Sequence, residues 1–347
     1  MSVVVRFTAS HRVDVHPADD PVLVAGHVRV RTTYSGISAG TELTAYRGSN
    51  PYLTKRWDET SQMFVEGTVG LQYPIEGWGY EEVGVVVEVA EDVTGVVLGD
   101  TVFGTWGHRS TAVLSGEYAA ERLMPPGADP LIGVYAHIGA IALNAVLDAD
   151  IHVGETVAVF GQGVPGQIVA QLARLNGGEV IAVDALPGRL ALASRLGAPH
   201  VVDAAGPESA ASVIRRLTAG RGADVSIEIT GVYAALQEAI RATAYNSRVV
   251  VSGFFQGPGT ALSLGEEFHH NRIDLVGSQI SGVNPRISHR WDELRLQRTV
   301  VELAASGRLD LGSLTTHRFP VDRVGEAFEL LDTRPADSLQ VILTFDE

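Results

Sequence analysis

Along the first 125 residues apolar and polar positions change over in short runs. Residues 28–33, Val-Arg-Val-Arg-Thr-Thr, alternate with the two-residue period of a half-buried strand. Residues 83–89 form a β-branched run, with Gly84 near its start and a Glu91-Asp92 turn after it, and Gly99-Asp100 leads into Thr101-Val102-Phe103. The opening MSVVVRFTAS is too short an apolar run for a secretory signal and also reads as a strand. Short strands parted by glycine-rich turns predict an irregular barrel or sandwich.

The pattern changes near residue 151. Apolar runs at 156–160, 180–183, 200–202, 225–229, 248–252 and 273–277 alternate with stretches of helical spacing at 167–175, 189–196, 213–217 and 234–244. Strands alternating with helices imply a parallel sheet covered on both faces. An amphipathic helix follows at 291–306, then a closing strand at 339–345. The uncharged stretch 131–147 contains His137 and Asn144 and falls short of a membrane span, so a buried helix is expected there. The organisation predicted is a β-rich body over 1–150, completed by 285–347, with a doubly wound domain over 151–284.

Composition narrows the chemistry. The chain has 347 residues, a net charge of −15 and no cysteine. The acidic balance argues against nucleic acid as a partner, because no basic surplus exists to neutralise phosphates. Without cysteine there are no thiol nucleophiles, disulfides, iron–sulfur clusters or Cys-ligated zinc sites. With neither a signal nor a membrane segment read, the expectation is a cytoplasmic protein with no membrane partner. The 38 glycines call for tight turns or close backbone approaches.

One such place is Gly161-Gln-Gly163-Val164-Pro165-Gly166, between the first strand and first helix of the α/β region. A GxGxxG string alone is a weak signal, but here its context is that of a dinucleotide site. Gly161 permits the turn, Gly163 lets backbone approach a pyrophosphate, and Gly166 lets helix and strand pack closely. Pro165 suits the first helical turn, where its missing N–H costs nothing. The helix N-terminus offers free N–H groups to the phosphates. Asp184 ends the second strand, eighteen positions after Gly166. A carboxylate there can accept the adenosine-ribose hydroxyls and repel a 2′-phosphate, which favours NAD over NADP. Arg189 stands against that preference if it meets a 2′-phosphate, and with it if it lies against the adenine. A methyltransferase also places a glycine-rich loop and an acid on such a sheet. The third glycine, the sixth strand and the flanking β domain favour the dehydrogenase reading.

Taken together, the chain resembles the medium-chain dehydrogenase/reductase (alcohol dehydrogenase-like) superfamily along nearly its whole length. Ser35-Gly-Ile-Ser-Ala-Gly-Thr-Glu42 resembles the SGICGTD segment that carries the first catalytic zinc ligand. Gly79-Tyr80-Glu81 with Val83-Gly84 and Gly99-Asp100 resembles the GHE…G…GD pattern that carries the second, and Leu314-Thr-Thr-His317 also matches in order. The resemblance implies an α/β protein with a GroES-like β-rich catalytic domain, a Rossmann domain, a small-molecule substrate, and a homodimer formed through the edge of the nucleotide sheet. The departures are as informative. Ser38 or Ala39 stands where the family has Cys, Tyr80 where it has His, and the four-cysteine lobe of the structural zinc is missing. His137 falls near the place of the third ligand. These variants are similar to a zinc-free branch that includes bacteriochlorophyllide a dehydrogenase, and no metal is expected.

Without zinc, hydrogen-bond donors must stabilise the developing alkoxide and a general base must accept the proton. Tyr80 is a candidate donor, or else a packed aromatic. Glu81 is a candidate to orient Tyr80 or His137, or else a turn residue. The resemblance implies a proton-relay role for Thr41, against simple strand capping, and Ser38 either assists or only bonds backbone. Histidine is the side-chain type that ordinarily titrates near neutrality, which makes His137 the candidate base, against a satisfied core residue. His108 is read as a loop residue at the cleft mouth, and His269-His270 as a surface or hinge pair. Residues 51–70, with Tyr52, Trp57, Met63 and Phe64, read as a cleft loop suited to a bulky or ring-containing substrate. The function expected is a zinc-independent, NAD-dependent dehydrogenase interconverting a secondary alcohol and a ketone. The alternatives are a quinone or enoyl reductase using NAD(P)H, and a non-catalytic dinucleotide-binding sensor or structural protein.

Overall fold

The computed structural model describes residues 2–345 and divides the chain into two compact units. One comprises the residues up to His137 together with those from Thr315 onward. The other is Ile138–Leu314.

In the first unit the strand His27–Ile37 is the organising element. It pairs antiparallel with Glu82–Val89 on one side and with Gln340–Thr344 on the other, and its first half also pairs with Thr111–Ser115. Thr101–Gly104 extends this sheet beyond Glu82–Val89, and Thr315–Pro320 runs parallel to Gln340–Thr344 at the opposite end. A smaller sheet joins Ser2–Ala9, Arg12–Ala18 and Ile75–Glu76. The apolar members of the alternating runs face inward. Val28, Val30, Val86 and Val102 form one core with Trp106, and Phe7, Ile37, Tyr46, Phe328 and Leu343 form another.

The second unit holds six parallel strands. Their order places His200–Asp203, Glu179–Asp184 and Thr156–Phe160 on one side, then Ala223–Glu228, Thr243–Val251 and Asp274–Gly277. The order reverses between the first and fourth strands, which is the doubly wound arrangement with its switch point there. Phe160, Ile181, Ile214, Ile240 and Val249 fill one face of it. All six expected strands are present.

Three features differ from the reading of the sequence. The unit boundaries fall at 137/138 and 314/315, not at 150/151 and 284/285. The helix Glu293–Ala305 buries Leu296, Val300 and Val301, and Val300 packs where Gly139 leaves room, so both segments join the nucleotide unit. Gln171 fastens residue 310 to the same unit through paired bonds to the Asp310 backbone, at 2.8 and 3.1 Å. Residues 51–70 are not a plain loop. They hold a turn at Pro51–Leu53 and a hairpin of Lys55–Asp58 with Met63–Glu66, in which the Trp57 and Phe64 rings meet edge to face at 5.2 Å. The helical stretch Pro130–Ala149 is long and apolar enough, by length and composition, to cross a membrane, yet 72% of its apolar 18-residue window is buried within the protein. It begins with a tight turn at Pro130–Tyr135, which lengthens it beyond what periodicity alone suggests.

Candidate active site and dinucleotide site

The antiparallel register builds the first site. Ser35 lies opposite Glu82, and Gly36 N–H donates to the Glu81 carbonyl at 2.7 Å. Where the strand His27–Ile37 ends, Ser38 takes the N-cap position of the helix Ala39–Arg47, with the extended backbone usual there. Tyr80 precedes the partner strand and so arrives beside that helix start. Its hydroxyl bonds the Ser38 hydroxyl and lies 3.1 Å from Thr41 Oγ1. The His137 ring lies 4.7 Å from the Tyr80 ring, centre to centre. The structure thus brings Ser38, Thr41, Tyr80 and His137 together.

Three hydroxyls joined by two hydrogen bonds carry three protons, of which the chain Thr41–Tyr80–Ser38 uses two. One O–H therefore remains to be donated outside the chain. Burial, then the charge of Glu81, pushes the Tyr80 hydroxyl above the ordinary phenol range. Tyr80 stays a phenol at neutral pH, a donor and not a base.

Glu81 is placed differently from expectation. Its side chain turns into the protein, 1% exposed, where Gln340 Nε2 donates to Oε2 at 3.1 Å, and no hydrogen bond joins it to Tyr80. Its Oε1 has no hydrogen-bond partner. Burial, with Glu42 and Glu82 nearby, holds its carboxyl well above the usual range. A Cβ on Gly36 would sit 2.3 Å from Glu81 Oε2, so the glycine there makes room for the acid.

His108 is corrected outright: its side chain is not at a cleft mouth but fully buried, and bonded to Glu42. Nothing periodic marks it, since it lies in the irregular segment after Thr101–Gly104. The available signal was Glu42 beside Leu43 and Glu82 at the head of the run 83–89, because buried carboxylates require a partner.

In the second unit the expected cradle takes shape. Gly161 has φ +100°, and a Cβ on Gly166 would lie 1.8 Å from the Gly161 carbonyl oxygen. Only glycine allows that helix to start so close to the strand. Gly163 is the N-cap of Val164–Leu175, with Pro165 in the first turn. A Cβ at 163 would meet nothing nearer than 3.8 Å, so that glycine leaves open space beside the Arg189 guanidinium. Asp184 ends the second strand, accepting from Gln162 N at 2.6 Å and Leu186 N at 2.9 Å. These residues fit a dinucleotide: free first-turn amides, an open glycine surface, and an acid at the second strand's end. Sequence reasoning missed Glu228, at the end of the fourth strand beside the switch point. Burial pushes its carboxyl up to about 7, while Thr230 N donates to Oε1 at 2.7 Å and Oε2 has no hydrogen-bond partner.

Comparison with known proteins agrees with this architecture. Residues 165–297 match the model of the family described as zinc-binding dehydrogenase. The chain is 30% identical over 335 residues to D-guloside 3-dehydrogenase of Shigella flexneri, covering 94% of this chain and 95% of that one. The chain belongs to the medium-chain dehydrogenase/reductase superfamily. This medium-chain dehydrogenase is also 26% identical to L-threonine 3-dehydrogenase of Pseudoalteromonas atlantica, over 95% of its own length and 96% of the relative's. Its fold superposes on 2R,3R-butanediol dehydrogenase from Bacillus subtilis with a TM-score of 0.79, covering 100% of both chains at 22% identity. As a member of the superfamily the protein is an alcohol dehydrogenase-type oxidoreductase with a dinucleotide-binding fold.

The zinc positions of this dehydrogenase carry a different donor set. Ser38 and Tyr80 are neutral hydroxyls bonded to each other, and Glu81 is drawn inward to Gln340. His137 alone offers an imidazole, and no group of three or more His, Asp or Glu among the described residues is arranged to hold a metal. These residues do not fit a catalytic zinc, which needs three nitrogen, sulfur or carboxylate ligands.

Proposed function

We propose that this protein is a zinc-independent, NAD-dependent dehydrogenase that oxidises a secondary alcohol on a ring-bearing substrate of the glycoside or cyclic polyol class. The observation carrying the proposal is the hydroxyl chain Thr41–Tyr80–Ser38, with one O–H to spare and His137 against it. A spare O–H donated to the substrate oxygen stabilises the negative charge that grows there, the task a metal performs in the zinc enzymes. His137 accepts the hydroxyl proton as general base. A dinucleotide held at Gly161, Gly163, Gly166 and Asp184 would supply the hydride acceptor for the alcohol carbon. Tyr80 cannot serve as the base, because burial keeps it protonated.

Asp184 supports NAD over NADP, since its carboxylate repels a 2′-phosphate, and in this reading Arg189, beside Gly163, lies against the adenine. The guloside-oxidising relative supports a sugar-ring alcohol, and the aromatic hairpin at 55–66 supports a ring-containing one. The same proposal extends to a cytoplasmic homodimer joined through the edge strand Asp274–Gly277. Sedimentation of the purified protein tests that part, and a monomer at micromolar concentration would remove it.

The deciding experiment is a panel of secondary alcohols, comprising glycosides, cyclitols, acyclic diols and hydroxyethyl-bearing rings. Each is assayed with NAD and NADP, before and after chelation. The expected result is turnover of a ring alcohol with NAD, unchanged by chelator. Turnover abolished by chelator and restored by zinc would overturn the metal-free mechanism, and preference for NADP would overturn the role of Asp184.

A further inference from the structure

Behind the hydroxyl chain lies a second set of polar side chains that the proposed reaction does not use. The side chains of His108, Glu42 and Glu82 are 0% exposed. His108 Nε2 lies 2.6 Å from Glu42 Oε2, and its Nδ1 lies 2.6 Å from Ser35 Oγ and 4.0 Å from Glu82 Oε1. Ser35 donates its only hydroxyl proton to Glu82 at 3.0 Å, and Trp106 N donates to the other oxygen of Glu82 at 2.8 Å. Ser35 Oγ can then only accept from His108, and Glu42 accepts from the other ring nitrogen. With Glu42 and Glu82 ionised, both ring nitrogens are donors and His108 is an imidazolium between two carboxylates; burial opposes that charge, and Glu42 outweighs it.

The second oxygen of Glu42 does something specific. Oε1 accepts from Ser38 N at 2.8 Å, at the N-cap of the helix Ala39–Arg47, whose first turn carries Thr41. That helix start has no cap from its own N-cap side chain, because the Ser38 hydroxyl is turned to Tyr80. Gly40 in the first turn weakens it further. Glu42 reaches back to supply the missing restraint, and a buried carboxylate can be kept there only with a charged partner. His108 is that partner.

We propose that His108 is a positioning residue of the dehydrogenase: through Glu42 it clamps the Ser38 amide and so holds the Ser38 and Thr41 hydroxyls against Tyr80. The inference rests on the reading that those hydroxyls receive the substrate oxygen. It adds an element outside the residues that touch substrate, drawn from a segment without regular secondary structure.

The test compares His108→Phe, which keeps an aromatic ring and removes both donors, with Glu42→Gln, which keeps the side chain's size but can no longer accept from both Ser38 and His108. Hydrogen exchange at residues 38–42 and steady-state kinetics are measured on each full-length enzyme. Exchange at 38–42 is expected to quicken at least tenfold, with kcat lowered roughly 10- to 100-fold and KM for NAD within about twofold of wild type. A general loss of packing would move KM for NAD as well. If His108→Phe does not accumulate as folded protein, Glu42→Gln decides alone. Unchanged exchange at 38–42, or faster exchange with unchanged kcat, overturns the proposal. Tyr80→Phe measured alongside separates two failures. Lost turnover there but none in the clamp variants condemns the clamp, whereas full turnover in all three condemns the hydroxyl reading beneath it.

Discussion

Burial and the Glu81 carboxyl keep the proton on Tyr80, and its hydroxyl sits between those of Ser38 and Thr41. Removing that oxygen breaks both hydrogen bonds at once and leaves Ser38 and Thr41 pointing nowhere in particular. Tyr80→Phe is therefore expected to lower kcat by roughly 10²–10³, the range for losing one preorganised donor to a developing oxyanion, with NAD affinity intact. Single-turnover kinetics with fluorescence titration of NAD separates the two quantities. If His137 is the base proposed for it, His137→Ala should lower kcat about 10²–10⁴-fold, with partial recovery as pH is raised and hydroxide substitutes. Full turnover in that variant would remove His137 from the mechanism. At this scale the residue types were legible before the contacts were. Ser38, Thr41, Tyr80 and His137 stood out by family resemblance, but the inward turn of Glu81 toward Gln340 did not. Gln340 is hundreds of positions away in the chain, and only sheet pairing brings it beside Glu81.

The first turn of the helix Val164–Leu175 makes two glycines behave in opposite ways. Gly166→Ala forces a Cβ into the Gly161 carbonyl at 1.8 Å, which backbone cannot yield without separating helix from strand. That variant is expected to lose several kcal/mol, in the range of about 2–5 kcal/mol for severe overpacking or strain, and to melt early. Gly163→Ala meets open space, so it should melt within about a degree of wild type yet bind NAD at least tenfold more weakly, because its methyl occupies the surface a pyrophosphate would approach. The fourth strand ends in a pH-dependent element. Burial raises the Glu228 carboxyl from an ordinary 4.5 to about 7, so the folded state binds the proton more tightly than the unfolded one. Stability from this group is complete below about pH 4.5 and is lost as pH rises toward 7, by about 3 kcal/mol. Glu228→Gln should accordingly gain stability over wild type at pH 8 and lose that advantage near pH 4.5, as urea melts at both values would show. The strand itself was plain in the sequence. The burial of its last residue was not, because it depends on Gly231 and Gly253 closing over the carboxyl from two loops.

The two units differ in how the chain closes them. Ile138–Leu314 is one continuous segment, whereas the first unit is completed by residues from Thr315 onward. Val341, Ile342 and Leu343 in the closing strand are fully buried, and they pair with residues 35–37, immediately before Ser38. A chain stopped after Leu314 should lose the cooperative melt of the β-rich unit and all turnover. The fragment 138–314 alone should keep its parallel-sheet circular dichroism and bind NAD. Calorimetry on both fragments checks this, and a folded β-rich unit without residues 315–345 would contradict it. The sequence read as far as a discontinuous β body and an inserted α/β domain. Its boundaries were misplaced because periodicity shows that 291–306 is helical but not which core receives its apolar face. That face goes to Gly139 in the nucleotide unit.

The sequence by itself determined what local physics governs. Alternation specified the strands, helical spacing the covering helices, and glycine at 161, 163 and 166 the phosphate turn, since each depends on neighbours within a few residues. The lack of cysteine likewise ruled out thiolate ligands without any coordinates. The tertiary structure decided everything that depends on register and burial. It joined Tyr80 to Ser38 across two strands, folded 55–66 into a hairpin through facing rings, turned Glu81 inward, and buried His108 between Glu42 and Glu82. A charge's surroundings are set by chain segments far apart in sequence, and its chemistry is set by those surroundings.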